Sequence, residues 1–316
     1  MLKQIKSIII IVVSVIILSI ILTEVSAATC EKLPIHVQTL GKIIPVYVRG
    51  NGLLPMLVVG PATLFHNSYL PESFDKYFKI YFVDIFTKVS SYRLLDINEI
   101  TLDDFVGSVE SIRKQLKLDK VVLFGHSANG ILALKYSEKF PEHVLCNILV
   151  GTTPFRGSEK SKISDAFFAS KASIERKNLY ESDKKKLAGL PPTYVNQYNA
   201  KRTWNFFDLT KKETENIWRG INLDENLIKK YFSLIDDFDI RQNMAILKVP
   251  TFLGLGSDDY TCPPVLWTEG SKRILNNPLL RHFVFDKSAH YPMIENEGTF
   301  MQGLSLFLKN YNIVAR

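Results

Sequence analysis

Cysteine is scarce: positions 30, 146 and 262 hold the only three in 316 residues. That excludes a disulfide-dense scaffold and a cysteine-rich zinc module. The six histidines (36, 66, 126, 143, 282 and 290) show no pair at ligand spacing with nearby Cys, Asp or Glu, so no metal is expected. There is no phosphate-cradling loop and no dinucleotide glycine fingerprint, and no cofactor is implied. No Asn-x-Ser/Thr sequon and no internal repeat occurs. Neither sign of charge dominates. Lys and Arg number 39 against 32 Asp and Glu, a net +7, mixed along the chain. That balance is a weak hint of anionic surfaces, and no nucleic-acid partner is expected. At 46% hydrophobic and 22% charged, the chain is neither disordered nor of low complexity.

What is present begins with one apolar run. Lys3 and Lys6 precede Ile8 to Leu22, which only Ser14 and Ser19 interrupt, and Val25-Ser26-Ala27 follows. Charged start, apolar middle and small residues are the order of a secretory signal peptide. Residues 1–27 are therefore read as a signal peptide, and the protein as exported to a periplasmic or extracellular space. The alternative is a membrane anchor formed by residues 8–22, and membrane contact is expected only through this segment if it is not cleaved. A span needs about 20 apolar residues, and Glu24 ends the run early. Cys30 invites a lipoprotein reading, but Ala27-Ala28-Thr29 lacks the usual leucine. With an odd number of cysteines, at least one stays free or pairs with another chain. Cys146, in an apolar run, reads as a buried small residue; Cys262 reads as a loop cysteine.

Strand signals then alternate with helical ones. Ile35–Thr39 and Ile43–Arg49 read as an opening antiparallel hairpin. Met56–Val59, Lys79–Val83, Lys120–Phe124 and Leu145–Val150 read as strands. Leu70–Phe78, Leu102–Leu118 and Ser127–Phe140 read as helices, the last stopped by Pro141. From 156 to 245 strand signals vanish, and lysines, glutamates and aromatics take over. Strands return at Val249–Leu255 and Arg281–Phe285, and Phe300–Tyr311 closes as an amphipathic helix. The pattern predicts an α/β fold with a mostly parallel central sheet flanked by helices. In such sheets reactive groups gather at the carboxyl ends of the strands.

Three strand ends carry the parts of an acyl-transfer site. In Val121–Gly130 a buried strand runs into Ser127 and a helix starts at once, with Gly125, Ala128 and Gly130 as small residues around the turn. A sharp strand-to-helix turn lifts a serine oxygen above the sheet, and the new helix leaves free N–H groups there. Alone, the serine reads equally as a helix cap. The second strand ends at Gly256 and is followed by Asp258 and Asp259, one of which orients a histidine. The third precedes Ser288-Ala289-His290. Alone, His290 reads as a surface histidine; the order Ser…Asp…His on successive strand ends favours catalysis.

These residues resemble the α/β-hydrolase-fold family, most closely its proline-iminopeptidase-like branch, over roughly residues 35–312. The resemblance rests on Gly125-His126-Ser127 in its strand-turn-helix setting, on Gly256 then Asp259, and on Ala289-His290 followed by Pro292 and Glu295. Tyr260, Pro263, Pro264 and Trp267 resemble the family's acid loop and favour Asp259 over Asp258. The family's helical cap between the sixth and seventh strands corresponds to 156–245, leaving core segments at 28–155 and 246–316. Val58-Val59-Gly60-Pro61-Ala62 stands where the family has its oxyanion loop. In that register Gly60 N–H joins Ala128 N–H as oxyanion donors; in the other register Ala62 must serve, because Pro61 has no N–H. The usual glycine two after the serine is Asn129, and Asp84-Ile85-Phe86-Thr87 lacks the family's arginine.

The implied mechanism assigns Ser127 as nucleophile, His290 as base and then acid, and Asp259 as the carboxylate that holds the imidazole. The substrate is a small molecule or short peptide. Esterase or lipase-like cleavage is favoured slightly over an aminopeptidase, which needs cap carboxylates for the substrate amine; Glu213, Glu215, Asp224 and Glu225 are the candidates. Of the insertion's aromatics (Tyr194, Tyr198, Trp204, Phe206, Phe207, Trp218, Tyr231 and Phe232), most are expected to pack the cap onto the sheet. A reading of another class, a non-catalytic binding module on the same fold, is set against the three intact residues.

Overall fold

The order of the strands decides where the chemistry sits. The computed structural model describes residues 34–60, 69–89, 96–210, 222–269 and 271–313. The expected leader at 1–27, Cys30, Pro61, Ala62, Glu213, Glu215 and Trp218 lie outside these residues. The described strands are β1 (Ile35–Thr39), β2 (Lys42–Arg49), β3 (Leu54–Val59), β4 (Phe78–Val83), β5 (Val121–His126), β6 (Val144–Val150), β7 (Thr251–Gly256) and β8 (Leu280–Phe285). They form one sheet in the order β1-β2-β4-β3-β5-β6-β7-β8. β2 pairs antiparallel with β1 and with β4; every other pairing is parallel.

Burial explains the sequence patterns. β5 is buried at every residue, and β3 and β6 at all but one. Strands covered on both faces read as unbroken apolar runs. The β1–β2 hairpin is covered on one face. Val37, Ile44 and Val46 point inward, while Ile35 and Ile43 stay exposed.

α1 (Leu102–Gln115) opens on a capping box in which the Thr101 hydroxyl accepts from Asp104 N–H and the Asp104 carboxylate accepts from Thr101 N–H. α2 (Asn129–Lys139) ends just before Pro141, as the residue ahead of a proline is pushed off helical angles. Between β6 and β7 come α3 (Gly157–Lys171), α4 (Ile174–Leu187), α5 (Tyr194–Ala200), α6 (Arg202–Asn205) and α7 (Glu225–Leu234), with no named strand among the described residues. After β7 come α8 (Val265–Thr268) and α9 (Lys272–Leu275), and after β8 come α10 (Pro292–Glu295) and α11 (Glu297–Asn310).

One expected helix does not form. Leu70–Phe78 makes only a 3-10 turn at Glu72–Phe74 before β4 starts at Phe78. Leu70, Phe74 and Phe78 all reach the core, which gave the segment its helical spacing. Pro71, however, sits in extended geometry at the turn's N-cap, and Phe78 is buried as the first residue of a strand.

Candidate active site

β5 ends at His126 and Ala128 caps α2, so Ser127 alone turns the chain. It does so at φ +54°. That left-handed geometry costs a non-glycine residue about 1–2 kcal/mol. Two backbone bonds hold it: Ser127 N–H donates to Val150 O at 2.8 Å, and Gly130 N–H donates to Ser127 O at 3.1 Å. The turn presses α2 onto the sheet. A Cβ on Gly130 would stand 2.0 Å from Thr152 Oγ1, and one on Gly125 would stand 2.6 Å from Gly130 Cα, so both positions call for glycine. Asn129, half-buried, occupies the neighbouring place without that conflict.

Ala128 opens α2, so its N–H has no acceptor within the helix, and none of the described backbone hydrogen bonds uses it. Gly60 is buried at φ +142° just past β3, whose Val59 pairs with Gly125 of β5. The two expected oxyanion donors thus follow the carboxyl ends of adjacent strands.

The carboxylate and the imidazole meet. His290 Nδ1 lies 2.8 Å from Asp259 Oδ2, and both side chains are wholly buried. Asp259 Oδ1 accepts from Thr261 N–H at 2.8 Å and Cys262 N–H at 2.7 Å. A carboxylate oxygen accepts, so Nδ1 is the nitrogen that donates in this bond. Asp258 is engaged elsewhere, accepting from the Ser257 hydroxyl at 2.6 Å. Gly151, at φ +55°, is a close-approach position: a Cβ there would stand 2.8 Å from His290 Nδ1.

The Ser127–His290 link is not closed. His290 Nε2 is buried and has no hydrogen-bond partner among the described residues. The nucleophile segment meets the histidine loop one residue earlier. His126 Nε2 is 2.8 Å from His290 O, and the two rings lie 4.4 Å apart. His126 Nδ1 is 2.5 Å from the Tyr69 hydroxyl. Burial, and then the neighbouring His290, hold the His126 imidazole well below the ordinary histidine range, so it stays neutral. Burial likewise pushes the Tyr69 phenol up, helped by Tyr291.

The helical segment between β6 and β7 reaches the same place. Asn205 O accepts from His290 N–H at 2.9 Å, and Asn205 Oδ1 accepts from the Thr261 hydroxyl at 2.6 Å. Tyr231 donates its hydroxyl to Ala128 O at 2.8 Å. Phe206 stacks on Tyr291 with ring centres 4.6 Å apart, and Trp204 stacks on Phe168 at 4.5 Å. Trp204, Phe206 and Tyr231 are buried, in keeping with the packing role expected for most of the aromatics. Glu295 ties the parts together: one oxygen accepts from Ala289 N–H, the other from Phe207 and Asp208 N–H. Cys146 and Cys262 are both buried free thiols, and burial pushes the Cys262 thiol up to about 12.

Sequence reasoning missed Tyr69, Asn205 and the separate part played by His126. Asn205 carries no motif and acts partly through its backbone. His126 was legible only as part of the serine pattern.

The structure thus brings together a strained serine at a strand-to-helix turn, the His126 ring before it, and an Asp-bound histidine whose ring packs against His126. Residues 63–297 match the family model described as alpha/beta hydrolase fold, and the chain belongs to that family of enzymes. It is 27% identical over 270 residues to the AB hydrolase superfamily protein YclE of Bacillus subtilis, covering 83% of this chain and 93% of that protein. It is 25% identical over 233 residues to a proline iminopeptidase of Saccharolobus solfataricus, covering 67% and 70%. Among solved structures, a thermophilic esterase from Thermogutta terrifontis shares the fold with a TM-score of 0.62 at 17% identity, over 89% of this chain and 99% of that one.

Proposed function

We propose that the protein is a cofactor-free serine hydrolase that cleaves an ester or amide through an acyl-enzyme, with esterase action favoured. The observation that carries the reading is the buried Asp259–His290 bond set against the strained turn at Ser127. In this reading His290 Nε2 takes the Ser127 proton as the hydroxyl attacks the carbonyl carbon. Asp259 stabilises the imidazolium that results, and the N–H groups of Ala128 and Gly60 receive the oxyanion. The imidazolium then protonates the leaving group, and water releases the acyl group by the same steps in reverse order. Losing one oxyanion donor typically costs about 10²–10³ in turnover. The segment 156–245 acts as the cap that shapes the substrate pocket.

The iminopeptidase relative keeps an aminopeptidase as the second reading. Two of its four candidate carboxylates are described, and both are engaged as caps. Asp224 accepts from Leu227 N–H at the start of α7, and Glu225 accepts from Tyr194 N–H at the start of α5. That favours the esterase.

A fluorophosphonate probe tests the chemistry: the protein labels and Ser127→Ala does not. An unlabelled protein would instead be a binding module on the hydrolase fold. Nitrophenyl esters of graded chain length, run beside proline and alanine anilides, separate the two enzyme readings. Export is supported by the charged, apolar and small residues of 1–27. Exported material is expected to begin near Ala28, and an N-terminal read at Met1 would favour the anchor at 8–22.

A further inference from the structure

We propose that His126 is a positioning residue for His290: its Nε2–H, oriented by Tyr69, pins the His290 carbonyl and thereby sets the ring beside Ser127. This rests on the reading of His290 as the general base.

The tautomer follows from the partners. A carbonyl oxygen only accepts, so the bond to His290 O puts the His126 proton on Nε2. Nδ1 then holds the lone pair, and the Tyr69 hydroxyl donates to it. Tyr69 and His126 are 2% and 4% exposed, so water does not compete for either bond. The ring is locked sideways as well. Tyr291 stacks on His126 with centres 4.9 Å apart and meets Tyr69 edge-on at 5.1 Å.

The His290 peptide is thus gripped from opposite sides. Its N–H goes to Asn205 O at 2.9 Å and its carbonyl takes His126 Nε2–H at 2.8 Å. The first grip comes from the helical segment. The second comes from the last residue of β5, adjacent to the nucleophile, although β6 and β7 separate β5 from β8 in the sheet. His126 is therefore a direct strut between the residue before Ser127 and the loop that carries the base. Such struts matter because a displacement of about 1 Å at a reacting group can cost about 10²-fold in rate.

The test compares side chains that keep or lose the donor. Gln places a side-chain N–H where Nε2 stood; Leu fills the space without one; Asn keeps an amide but falls short of the carbonyl. Turnover of a short-chain nitrophenyl ester is measured per site titrated with fluorophosphonate, so misfolded protein does not count. His126→Gln is expected to keep kcat within about 3-fold of the parent, and His126→Leu and His126→Asn to lose about 10–100-fold with KM little changed. Tyr69→Phe alone is expected to lower kcat, and to add little when placed on His126→Leu, as residues acting in one chain are non-additive. Equal kcat per site in the Gln, Asn and Leu variants, or full additivity of Tyr69→Phe with His126→Leu, would overturn the proposal. If His126→Leu does not fold, the contrast between Gln and Asn decides alone. Loss of probe labelling in Ser127→Ala with intact labelling of the parent keeps the hydrolase reading standing whichever way this comparison falls.

Discussion

Asp258 and Asp259 are adjacent in sequence and have opposite surroundings. Asp259 is fully buried, bound to His290 and fed by two backbone N–H groups; Asp258 is half-buried and holds Ser257. Asp259→Asn puts an amide against Nδ1 and forces the wrong imidazole tautomer, so kcat is expected to fall about 10³–10⁴-fold. Asp258→Asn is expected to stay within about 3-fold, since a partly exposed polar contact is worth little. Steady-state kinetics on the two variants decides, and equal losses would remove Asp259 from the mechanism. At this scale the sequence was informative where residue type is constrained. The strand-to-helix turn at Ser127 and the loop that carries His290 were legible because each follows a strand end. The choice between the two aspartates needed the family resemblance. Tyr69 and Asn205 were not legible, because a hydroxyl or a peptide oxygen at the right place leaves no signature in composition.

Among the elements, the helical segment between β6 and β7 was legible from its lost strand signals and its lysines and glutamates. Its hydrogen bonding to the histidine loop was not, since those bonds run through Asn205 and the backbone N–H groups of Phe207 and Asp208, which belong to no motif. Leu70–Phe78 failed for a related reason: apolar spacing alone does not separate a helix stripe from a turn leading into a strand. Glu295, at the end of α10, is the joint between the segment and the histidine loop. Its carboxylate accepts from three backbone N–H groups. Glu295→Gln turns one acceptor oxygen into a donor facing those groups, which typically costs about 1–3 kcal/mol. A melting temperature several degrees lower is expected, with a fall in both kcat and affinity for substrate. Calorimetry and kinetics check it, and an unchanged melting point would show the joint to be dispensable.

For the molecule as a whole, a loss of stability in acid is expected from a carboxylate outside the site. Hydrogen bonding from Arg113, together with Tyr136, lowers Glu110 from 4.5 to about 2. A carboxyl whose folded value is depressed contributes stability above its unfolded value and loses it as pH falls toward the folded one. The contribution is therefore complete above about pH 5 and disappears between there and about pH 2. Glu110→Gln is expected to be less stable at neutral pH and to lose less on acidification over that window. Urea unfolding at pH 7, 4 and 3 measures this, and parallel losses in both proteins would exclude Glu110 as the source. The strand order has one more consequence. Ser127 lies before the long helical excursion, while Asp259 and His290 follow it, just past the carboxyl ends of β7 and β8. On the proposed reading, a fragment that stops ahead of Thr251 keeps the hydroxyl without either partner and is expected not to take the fluorophosphonate label.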